Sequence, residues 1–424
     1  MATHLRSDGT LELGGVALES LTRGEEATPA YVYDVDAIRA EGRELIGAFE
    51  GQPHLVAYAV KANSAGPVVR ALVEAGCGAD VVSGAELMLA LAAGVSPDKI
   101  VYSGVAKSDA ELDLAVGSGP EGIGAVQIES AEEVERVAAR ARAAGRTCRV
   151  SLRVNPGVDA DDLDTHAYIT TGHDEAKFGV PLESIDAAVD AILARPELRL
   201  AGLASHVGSQ LTSTDAYLVG ARVLFDLAKA VRQKASLAFV DTGGGFGIDY
   251  GEGCPARPAD FIRATRALQR ERGLGDLALY CEPGRSMVAA HGVVLAKVLQ
   301  RKVSSARRWL MIDAGMNDLM RPALYQAFHR VVPLRALSGP TSAWRVVGPV
   351  CESSDDFGVH TLPDDAALSH VALLDAGAYG YSMASRYNGR ALPAEVFVSG
   401  GRVTGRTDRR PMSEWVEDRL AAGR

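Results

Sequence analysis

The sequence predicts an α/β fold in which a closed (β/α)8 barrel is followed by an all-β domain. Short apolar runs, many of them rich in β-branched residues, recur eight times before Arg285. Alanine-rich segments with helical periodicity separate these runs, and continuous apolar strands that alternate with helices are typical of a parallel sheet buried on both faces. Eight such units in about 250 residues is the count of a closed barrel. Beyond Arg285 extended runs and turns replace the long helices, which indicates a β domain.

The eight predicted barrel strands cover residues 55–61, 78–83, 99–104, 124–129, 148–155, 200–206, 237–242 and 277–282. Two of the helices between them open with the pattern of a capping box, Ser108 with Glu111 and Ser130 with Glu133. The capping boxes support the alternation of strands and helices on which the barrel prediction depends.

The β domain is predicted from the extended runs 292–303, 308–313, 345–350, 370–374 and 395–403. Residues 10–32 also have an extended pattern. We expect them to join the β domain, and the alternative is a cover over one end of the barrel. The expected domains are therefore a barrel over residues 30–285 and a β domain over 1–29 and 286–424.

Composition excludes several classes of protein. The 424 residues are 47% apolar and 23% charged, with a net charge of −10, which excludes disorder and gives no basic footprint for nucleic acid. The polar N-terminus and the absence of any apolar run near 18 residues predict a cytoplasmic chain that does not bind membranes. Five cysteines without C-x-x-C spacing indicate neither a disulfide framework nor a metal site. The expected partner is a small molecule or another subunit.

Polar residues occupy the ends of the predicted barrel strands, where the chemistry of such barrels gathers. They are Lys61, Ser83, Glu129, Arg153, Asn155, His206, the segment DTGGGFG (241–247) and the segment CEPGR (281–285). A lysine after a strand as apolar as LVAYAV suits Schiff-base chemistry better than surface solubility. The glycine run, with Gly244 and Gly245, is expected to offer backbone N–H groups to a phosphate after strand seven.

These side chains together match the needs of pyridoxal 5'-phosphate. Lys61 can carry the aldehyde carbon, and the glycine run can hold the phosphate. His206 can stack on the ring, while Glu282 can keep the pyridine nitrogen protonated. The sequence therefore predicts a pyridoxal phosphate enzyme.

Eight segments then carry a family resemblance: YAVKAN, THAYITTGHDEAKFG, HVGSQL, DTGGGFGIDY, EPGRSMV, DAGMNDLMRPALY, GPVCESSD and GAYGYSMASRYN. Together they resemble the diaminopimelate decarboxylases, a family of fold-type III pyridoxal phosphate enzymes, from about residue 28 to residue 398. The resemblance implies an alanine-racemase-like barrel with a β domain and a homodimer with shared active sites. The lysine strand and EPGR occur across the wider superfamily, so they indicate only the superfamily. The combination of CESSD, RPALY and THAYITTG is specific to a much smaller group of proteins.

The resemblance also implies roles for individual residues. Lys61 would carry the cofactor, His206 would stack on its ring, and Glu282 would contact the pyridine nitrogen. The residues expected around the phosphate and substrate are Ser209, Gly244, Gly245, Gly284 and Arg285. Cys351, from the other subunit, would be the proton donor. The substrate would also meet Glu352 at an amino group, Arg321 and Tyr325 at a carboxylate, and Tyr379, which would touch the cofactor as well.

The activity implied by the resemblance is the decarboxylation of meso-2,6-diaminopimelate at its D centre, giving L-lysine and CO2. Two alternatives stay open at this point. One is a decarboxylase of another basic or D-amino acid such as D-ornithine or D-lysine, and the other is a non-catalytic pyridoxal phosphate carrier. The chain departs from the family pattern at GVAKS, residues 104–108, where an asparagine is usual. The resemblance therefore does not establish the peripheral polar contact that this asparagine would make.

Overall fold

The computed structural model describes residues 3–24, 27–158, 177–251 and 253–421. The chain divides into two compact units. The first contains Met1–Ile38, Tyr250–Glu252 and Val288–Arg424, and the second contains Arg39–Asp249 and Gly253–Met287. In the part of the chain that is described, no helix has the length and apolar character needed to cross a membrane.

The first unit begins with four short strands: β1 (Thr3–Leu5), β2 (Leu11–Leu13), β3 (Val16–Ala17) and β4 (Ala30–Asp34). Strands β1 to β3 form a small antiparallel sheet, whereas β4 enters the large sheet of the same unit. All five residues of β4 are buried, as expected for an apolar strand in the centre of a sheet.

The second unit is the barrel. Its eight strands are β5 (His54–Ala59), β6 (Gly78–Val81), β7 (Ile100–Tyr102), β8 (Ala125–Ile128), β9 (Cys148–Val154), β10 (Leu198–Ser205), β11 (Phe239–Asp241) and β12 (Ala278–Cys281). Neighbouring strands pair in parallel, and β12 pairs with β5 to close the barrel. The predicted (β/α)8 barrel is therefore confirmed, with every strand shorter than its predicted run except β10, which is one residue longer.

The helices up to the end of the barrel are α1 (Val35–Gly47), α2 (Gly66–Ala75), α3 (Gly84–Ala92), α4 (Asp109–Gly117), α5 (Ala131–Ala143), α6 (Ile185–Leu193), α7 (Thr214–Val231), α8 (Pro258–Glu271) and α9 (Arg285–Val288). Ser108 forms the complete capping box at α4. Ser130 accepts the N–H of Glu133 at α5, but the Glu133 carboxylate contacts the N–H of Glu129 and the ammonium of Lys107 instead of closing the box. A competing buried lysine explains the difference.

The remaining strands of the first unit are β13 (Gly292–Val303), β14 (Arg308–Ile312), β15 (Val331–Pro333), β16 (Thr341–Val347), β17 (Asp356–Pro363), β18 (His370–Leu373), β19 (Ala394–Ser399) and β20 (Arg402–Thr407). The described part of this unit also contains helix α10 (Arg321–Tyr325), between β14 and β15, and helix α11 (Met412–Ala421), which follows β20. The main sheet runs in the order β17-β16-β14-β13-β4-β19-β20. Strands β15 and β17 were not predicted. Strand β15 is only three residues long, and β17 begins with an aspartate and contains Gly358.

The N-terminal segment belongs to the β domain. Strand β4 pairs antiparallel with β13 and parallel with β19. Leu11, Leu13 and Val32 share one buried cluster with Val293 and Val396. The prediction that the opening residues join the β domain is confirmed.

Candidate active site

Lys61 lies just beyond the first barrel strand. Strand β5 ends at Ala59, two residues earlier than predicted, and Lys61 occupies a single 3-10 turn over Val60–Ala62. Its Nζ donates to Oδ2 of Asp80 at 2.7 Å. Asp80 is fully buried in β6, and its other oxygen accepts the hydroxyl of Ser103. Asp80 therefore anchors the lysine amine at the carboxyl end of the barrel.

Glu282 follows the last barrel strand and lies against a second carboxyl group. Burial, then the charges of Asp241 and Asp80, raise the pKa of Glu282 well above 4.5. Burial likewise raises the pKa of Asp241. Gln127 Nε2 donates to Glu282 Oε1 at 2.6 Å. Two carboxyl groups this close cannot both ionise at low cost, so the pair favours a proton or a cationic N–H beside it.

This pair gives a first prediction, for the protein without ligand. Because the pKa of Glu282 is raised on folding, its contribution to stability is fully present below about pH 4.5 and is lost as the pH rises through the folded pKa. We therefore expect Glu282→Gln to raise the free energy of unfolding at neutral pH by about 1 kcal/mol and to flatten its pH dependence. Urea unfolding at several pH values measures both quantities.

Glu129→Gln is the matched control for that experiment. Glu129 is buried in an ion pair with Arg153 at 2.9 Å and also accepts the N–H groups of Gly104 and Gly179. Loss of its charge should lower stability, because a buried guanidinium loses its counter-charge. Destabilisation of both variants to the same degree would contradict the repulsion assigned to Glu282 and Asp241.

His206 follows β10 and is held by the glycine run. Its Nδ1 accepts the N–H of Gly244 at 3.2 Å. Desolvation, then the charges of Arg153 and Lys61, lower the pKa of His206 well below 6.5. The ring is therefore neutral at physiological pH and carries its proton on Nε2, which suits it to stack on a flat, electron-poor ring.

The glycine run is required by close backbone approaches. A Cβ at Gly244 would lie 2.0 Å from the Glu282 carbonyl oxygen, and one at Gly245, where φ is +95°, would lie 2.1 Å from the Gly208 carbonyl oxygen. The expectation that the whole run exposes N–H groups is wrong in part. The N–H groups of Gly243, Gly244 and Gly247 donate to Asp241, His206 and Leu211. Among the described residues only Gly245 and Phe246 of this run lack an acceptor for their N–H groups.

A buried guanidinium lies beside the glycine run. Arg285 Nη2 donates to the hydroxyl of Ser209 at 3.1 Å, and Ser209 follows Gly208, the residue that Gly245 approaches. Gly284 is buried next to Arg285, and its carbonyl accepts the N–H of Met287 in the first turn of α9. One N–H group, a hydroxyl and a guanidinium thus converge, which is a suitable set for a phosphate.

The barrel end fits pyridoxal 5'-phosphate. It offers an amine for the aldehyde, a carboxyl pair for a protonated ring nitrogen, a neutral imidazole for the ring face and the Ser209–Gly245–Arg285 set for the phosphate. The glycine positions add a second test, because a Cβ at Gly244 or Gly245 would collide with backbone. All barrel residues that the sequence singled out as cofactor ligands are brought together within the second unit.

In the first unit, Arg321 begins the short helix α10 and is buried. Its Nη1 contacts His329 Nε2 at 2.8 Å, and His329 Nδ1 donates to the Leu374 carbonyl at 2.9 Å. The guanidinium carbon lies 4.8 Å from the centre of the Tyr250 ring. The histidine and the aromatic face orient the guanidinium, and neither contributes a negative charge. Tyr325 ends α10 and is half-buried.

Cys351 and Glu352 are both exposed. Of the five cysteines, Cys351 is the exposed one; Cys77, Cys148 and Cys281 are buried and Cys254 is partly buried. Its backbone N–H donates to Asn388 Oδ1 at 2.9 Å, and the carboxylate of Glu352 accepts the hydroxyl of Tyr387. A thiol and a carboxylate on adjacent exposed residues are available to a ligand from outside this unit.

Tyr379 follows β18 in an unusual backbone conformation. Its φ is +54°, in the left-handed region that L-residues rarely adopt. Gly377 approaches the Val288 carbonyl so closely that a Cβ would lie 2.0 Å from it, and Gly380 is packed against the Tyr31 ring. Rigid neighbours on both sides maintain the strained conformation, which is common where a side chain must be aimed at a ligand.

Sequence reasoning missed several residues that contact the candidates. Asp80 and Gln127 were detectable as lone polar residues inside the apolar strands GADV and AVQI. His329 and Asn388 lie in irregular segments, where no periodicity marks a side chain as buried or directed. The segment THAYITTG, residues 165–172, lies outside the described residues.

Comparison with known proteins identifies the family. The family model described as the pyridoxal binding domain of pyridoxal-dependent decarboxylases matches residues 35–289. The diaminopimelate decarboxylase of Pseudomonas aeruginosa is 39% identical over 404 residues, which is 94% of each chain. That of Zymomonas mobilis is 37% identical over 400 residues, or 93% of each chain.

Solved structures agree with these relatives. The Helicobacter pylori diaminopimelate decarboxylase in complex with L-lysine has a TM-score of 0.87 and 34% identity, covering 96% of this chain and 99% of that one. The diaminopimelate decarboxylase of M. jannaschii, also with L-lysine, has a TM-score of 0.90 and 32% identity, covering 98% of this chain and 97% of that one. With matching sequence and fold over nearly the whole length, the chain belongs to the diaminopimelate decarboxylases, a family of pyridoxal phosphate-dependent carboxy-lyases.

Proposed function

We propose that the chain decarboxylates meso-2,6-diaminopimelate at its D centre and releases L-lysine and CO2. The observation that carries the proposal is the convergence of Lys61 with the Glu282–Asp241 carboxyl pair at one end of the barrel. The family membership and the two L-lysine complexes of relatives favour this substrate over D-ornithine or D-lysine.

The barrel residues hold and orient the cofactor. When bound, pyridoxal 5'-phosphate supplies the electron sink that makes loss of a carboxylate possible. Lys61 would hold it through its amine, which Asp80 orients. Glu282 would lie at the ring nitrogen and keep it protonated, and His206 would stack on the ring and exclude water. Ser209, Gly245 and Arg285 would hold the phosphate, with Gly284 buried beside Arg285, whereas the N–H of Gly244 is already donated to His206.

Residues of the first unit hold the substrate and supply a proton. Arg321 and Tyr325 bind the carboxylate at the end that does not react, and Glu352 binds the ammonium group at that end. Tyr379 contacts both cofactor and substrate. The thiol of Cys351 delivers a proton to the carbon that has lost CO2, with its Sγ–H bond broken and a C–H bond formed.

We also propose that the enzyme is a cytoplasmic homodimer in which the partner subunit's Cys351 and the partner subunit's Glu352 complete each site. The family resemblance supports this, as does the exposure of both residues on an isolated chain. A two-fold dimer has an isologous interface, so each chain would donate what it receives.

Two mixed variants test the shared site. Lys61→Ala and Cys351→Ala should each be nearly inactive alone, because each site lacks one essential group. After subunit exchange half of the dimers are heterodimers with one intact site of two, so activity should recover to roughly a quarter of wild type. No recovery, with exchange shown independently by mass spectrometry of differently tagged subunits, would mean that both residues act within one chain.

The reaction itself is tested with the cofactor-loaded enzyme. Release of CO2 from meso-diaminopimelate in equal amount to L-lysine is the expected result. A protein that binds the cofactor but releases no CO2 from any diamino acid would be a carrier, and the proposal would be wrong.

A further inference from the structure

A single turn of the first unit touches both Cys351 and Glu352. This turn consists of Tyr387–Gly389; its first two residues end the GAYGYSMASRYN segment, and β19 follows it. We propose that Asn388 and Tyr387 are positioning residues, Asn388 for the backbone of Cys351 and Tyr387 for the carboxylate of Glu352. The inference rests on the proposed function, because it assigns each contact to one part of that reaction.

Asn388 holds Cys351 through a directed side chain. Its Oδ1 accepts the Cys351 backbone N–H at 2.9 Å, a normal hydrogen-bond distance. Asn388 itself has φ +54° and ψ +22°, inside the left-handed region that asparagine tolerates better than most residues. The backbone conformation and the side-chain contact therefore favour the same residue type, and a change at this position can separate the two.

Tyr387 holds Glu352 through its hydroxyl. The hydroxyl donates to Oε1 of Glu352, and this hydrogen bond, with the charge of Glu352, raises the pKa of Tyr387. Glu352 is exposed, so its carboxylate would otherwise sample several rotamers. A hydrogen bond to a charged acceptor is stronger than one between neutral groups and restricts the carboxylate to one direction.

The turn is fixed from the opposite side by α11. Arg386 Nη1 pairs with Asp418 Oδ2 at 3.0 Å, and a Cβ at Gly389 would lie 3.4 Å from the Trp415 ring. The Ser385 N–H also donates to the Asn317 carbonyl at 2.8 Å. The turn thus has a rigid base from which its two side chains reach the Cys351–Glu352 segment.

The Cys351–Glu352 segment is fixed at its own base as well. Asp355 accepts the N–H of Val350 at 2.6 Å and that of Met316 at 2.6 Å. The backbone of Glu352 is held as well, because its N–H donates to the Val350 carbonyl at 2.8 Å and its carbonyl accepts the Asp355 N–H at 3.2 Å. The contacts that the turn adds are therefore those to the Cys351 N–H and to the Glu352 carboxylate. Because Cys351 acts in proton delivery and Glu352 in substrate binding, loss of each contact should affect a different kinetic constant.

For Asn388 we expect a lower kcat with little change in KM. Asn388→Gly keeps the left-handed backbone accessible and removes the acceptor, and it should lower kcat by about 10- to 100-fold, because small displacements of a reacting group are costly. Asn388→Asp retains an acceptor at the same position and should restore most of the activity. A wild-type kcat in Asn388→Gly, or an equal loss in Asn388→Asp, would overturn the inference.

For Tyr387 we expect a higher KM with little change in kcat. Tyr387→Phe removes only the hydroxyl and should raise KM for meso-diaminopimelate by about 10-fold, the typical effect of losing one hydrogen bond to a charged group, while kcat changes little. Tyr280→Phe, which alters a stacked tyrosine of the barrel, is the control. If Tyr387→Phe and Asn388→Gly changed kcat and KM in the same proportion, both residues would be structural only.

A readout independent of turnover keeps this inference distinct from the proposed function. Cys351 is exposed on the single chain, and in the proposed dimer it would face a site that small molecules enter, whereas burial raises the pKa of Cys77, Cys148, Cys254 and Cys281. Iodoacetamide labelling of the holoenzyme, measured on the Cys351 peptide, should therefore be faster in Asn388→Gly by about 3-fold or more, a factor expected when one hydrogen bond is lost. An unchanged labelling rate would overturn the positioning role. If Asn388→Gly is labelled faster but Cys351→Ser keeps full activity, the positioning role stands and the proton-donor role of Cys351 is wrong.

Discussion

Lys61→Ala is expected to abolish turnover and to remove the absorbance near 420 nm, roughly where a protonated Schiff base of pyridoxal absorbs. In wild type the Lys61 amine is held 2.7 Å from Asp80 at the carboxyl end of the barrel, so loss of that amine removes the covalent anchor of the cofactor. Activity should fall by about 1000-fold or more, the loss typical of removing a group that acts in the reaction. Steady-state kinetics and the absorption spectrum measure the two effects.

The variant Lys61→Arg distinguishes the covalent role of the Lys61 amine from the electrostatic role of its positive charge. Arginine retains the positive charge beside Asp80 but provides no amine for Schiff-base chemistry, so this variant should be as inactive as Lys61→Ala. Borohydride reduction of wild type should also fix the cofactor on the peptide that contains Lys61. A label on a different lysine would reject the assignment.

Replacing meso-diaminopimelate with lysine or ornithine should lower kcat/KM by about 1000-fold or more, because a substrate without a second carboxylate leaves charged site groups without their counterparts. Arg321 is buried and is oriented by His329 and Tyr250, which contribute no negative charge. Initial rates with each substrate at low concentration give the ratio directly.

Two variants identify the groups behind this discrimination. Glu352→Gln keeps the size of the side chain and removes its charge, so it should weaken the preference for meso-diaminopimelate, whereas Glu417→Gln, an exposed glutamate of α11, should leave it unchanged. Equal turnover of the three substrates by wild type would show a decarboxylase of broad specificity.

The barrel was predictable from sequence because its signals are local and repeated. Each apolar run between alanine-rich segments reports one strand, and polar residues after such runs, among them Lys61, His206 and Glu282, are brought together by the parallel sheet. The pairings within the site were not predictable. That Lys61 meets Asp80, or that Asp241 lies beside Glu282, depends on which strands are neighbours and on side-chain direction.

The site residues of the β domain could not be predicted from local sequence signals. Arg321 and Cys351 came from the family resemblance, because their own surroundings carry no periodic signal. Burial of Arg321 by Tyr250 and His329, and exposure of Cys351, are consequences of irregular segments that meet only in the folded chain. Asn388 and Tyr387 are of the same kind, since a turn of three residues leaves no pattern in the sequence.

The place of β4 in the large sheet also constrains how the protein is made. This strand is synthesised early, but its partners β13 and β19 begin at residues 292 and 394. At roughly 5 to 20 residues per second, β4 leaves the ribosome roughly 10 to 50 s before its first partner is translated. During that interval β4, AYVYD, whose five residues are all buried in the folded protein, has no native sheet to join. We therefore expect the residues of β4 to need transient burial during synthesis, and a fusion partner at the N-terminus would have to leave β4 free to pair with strands that are translated last.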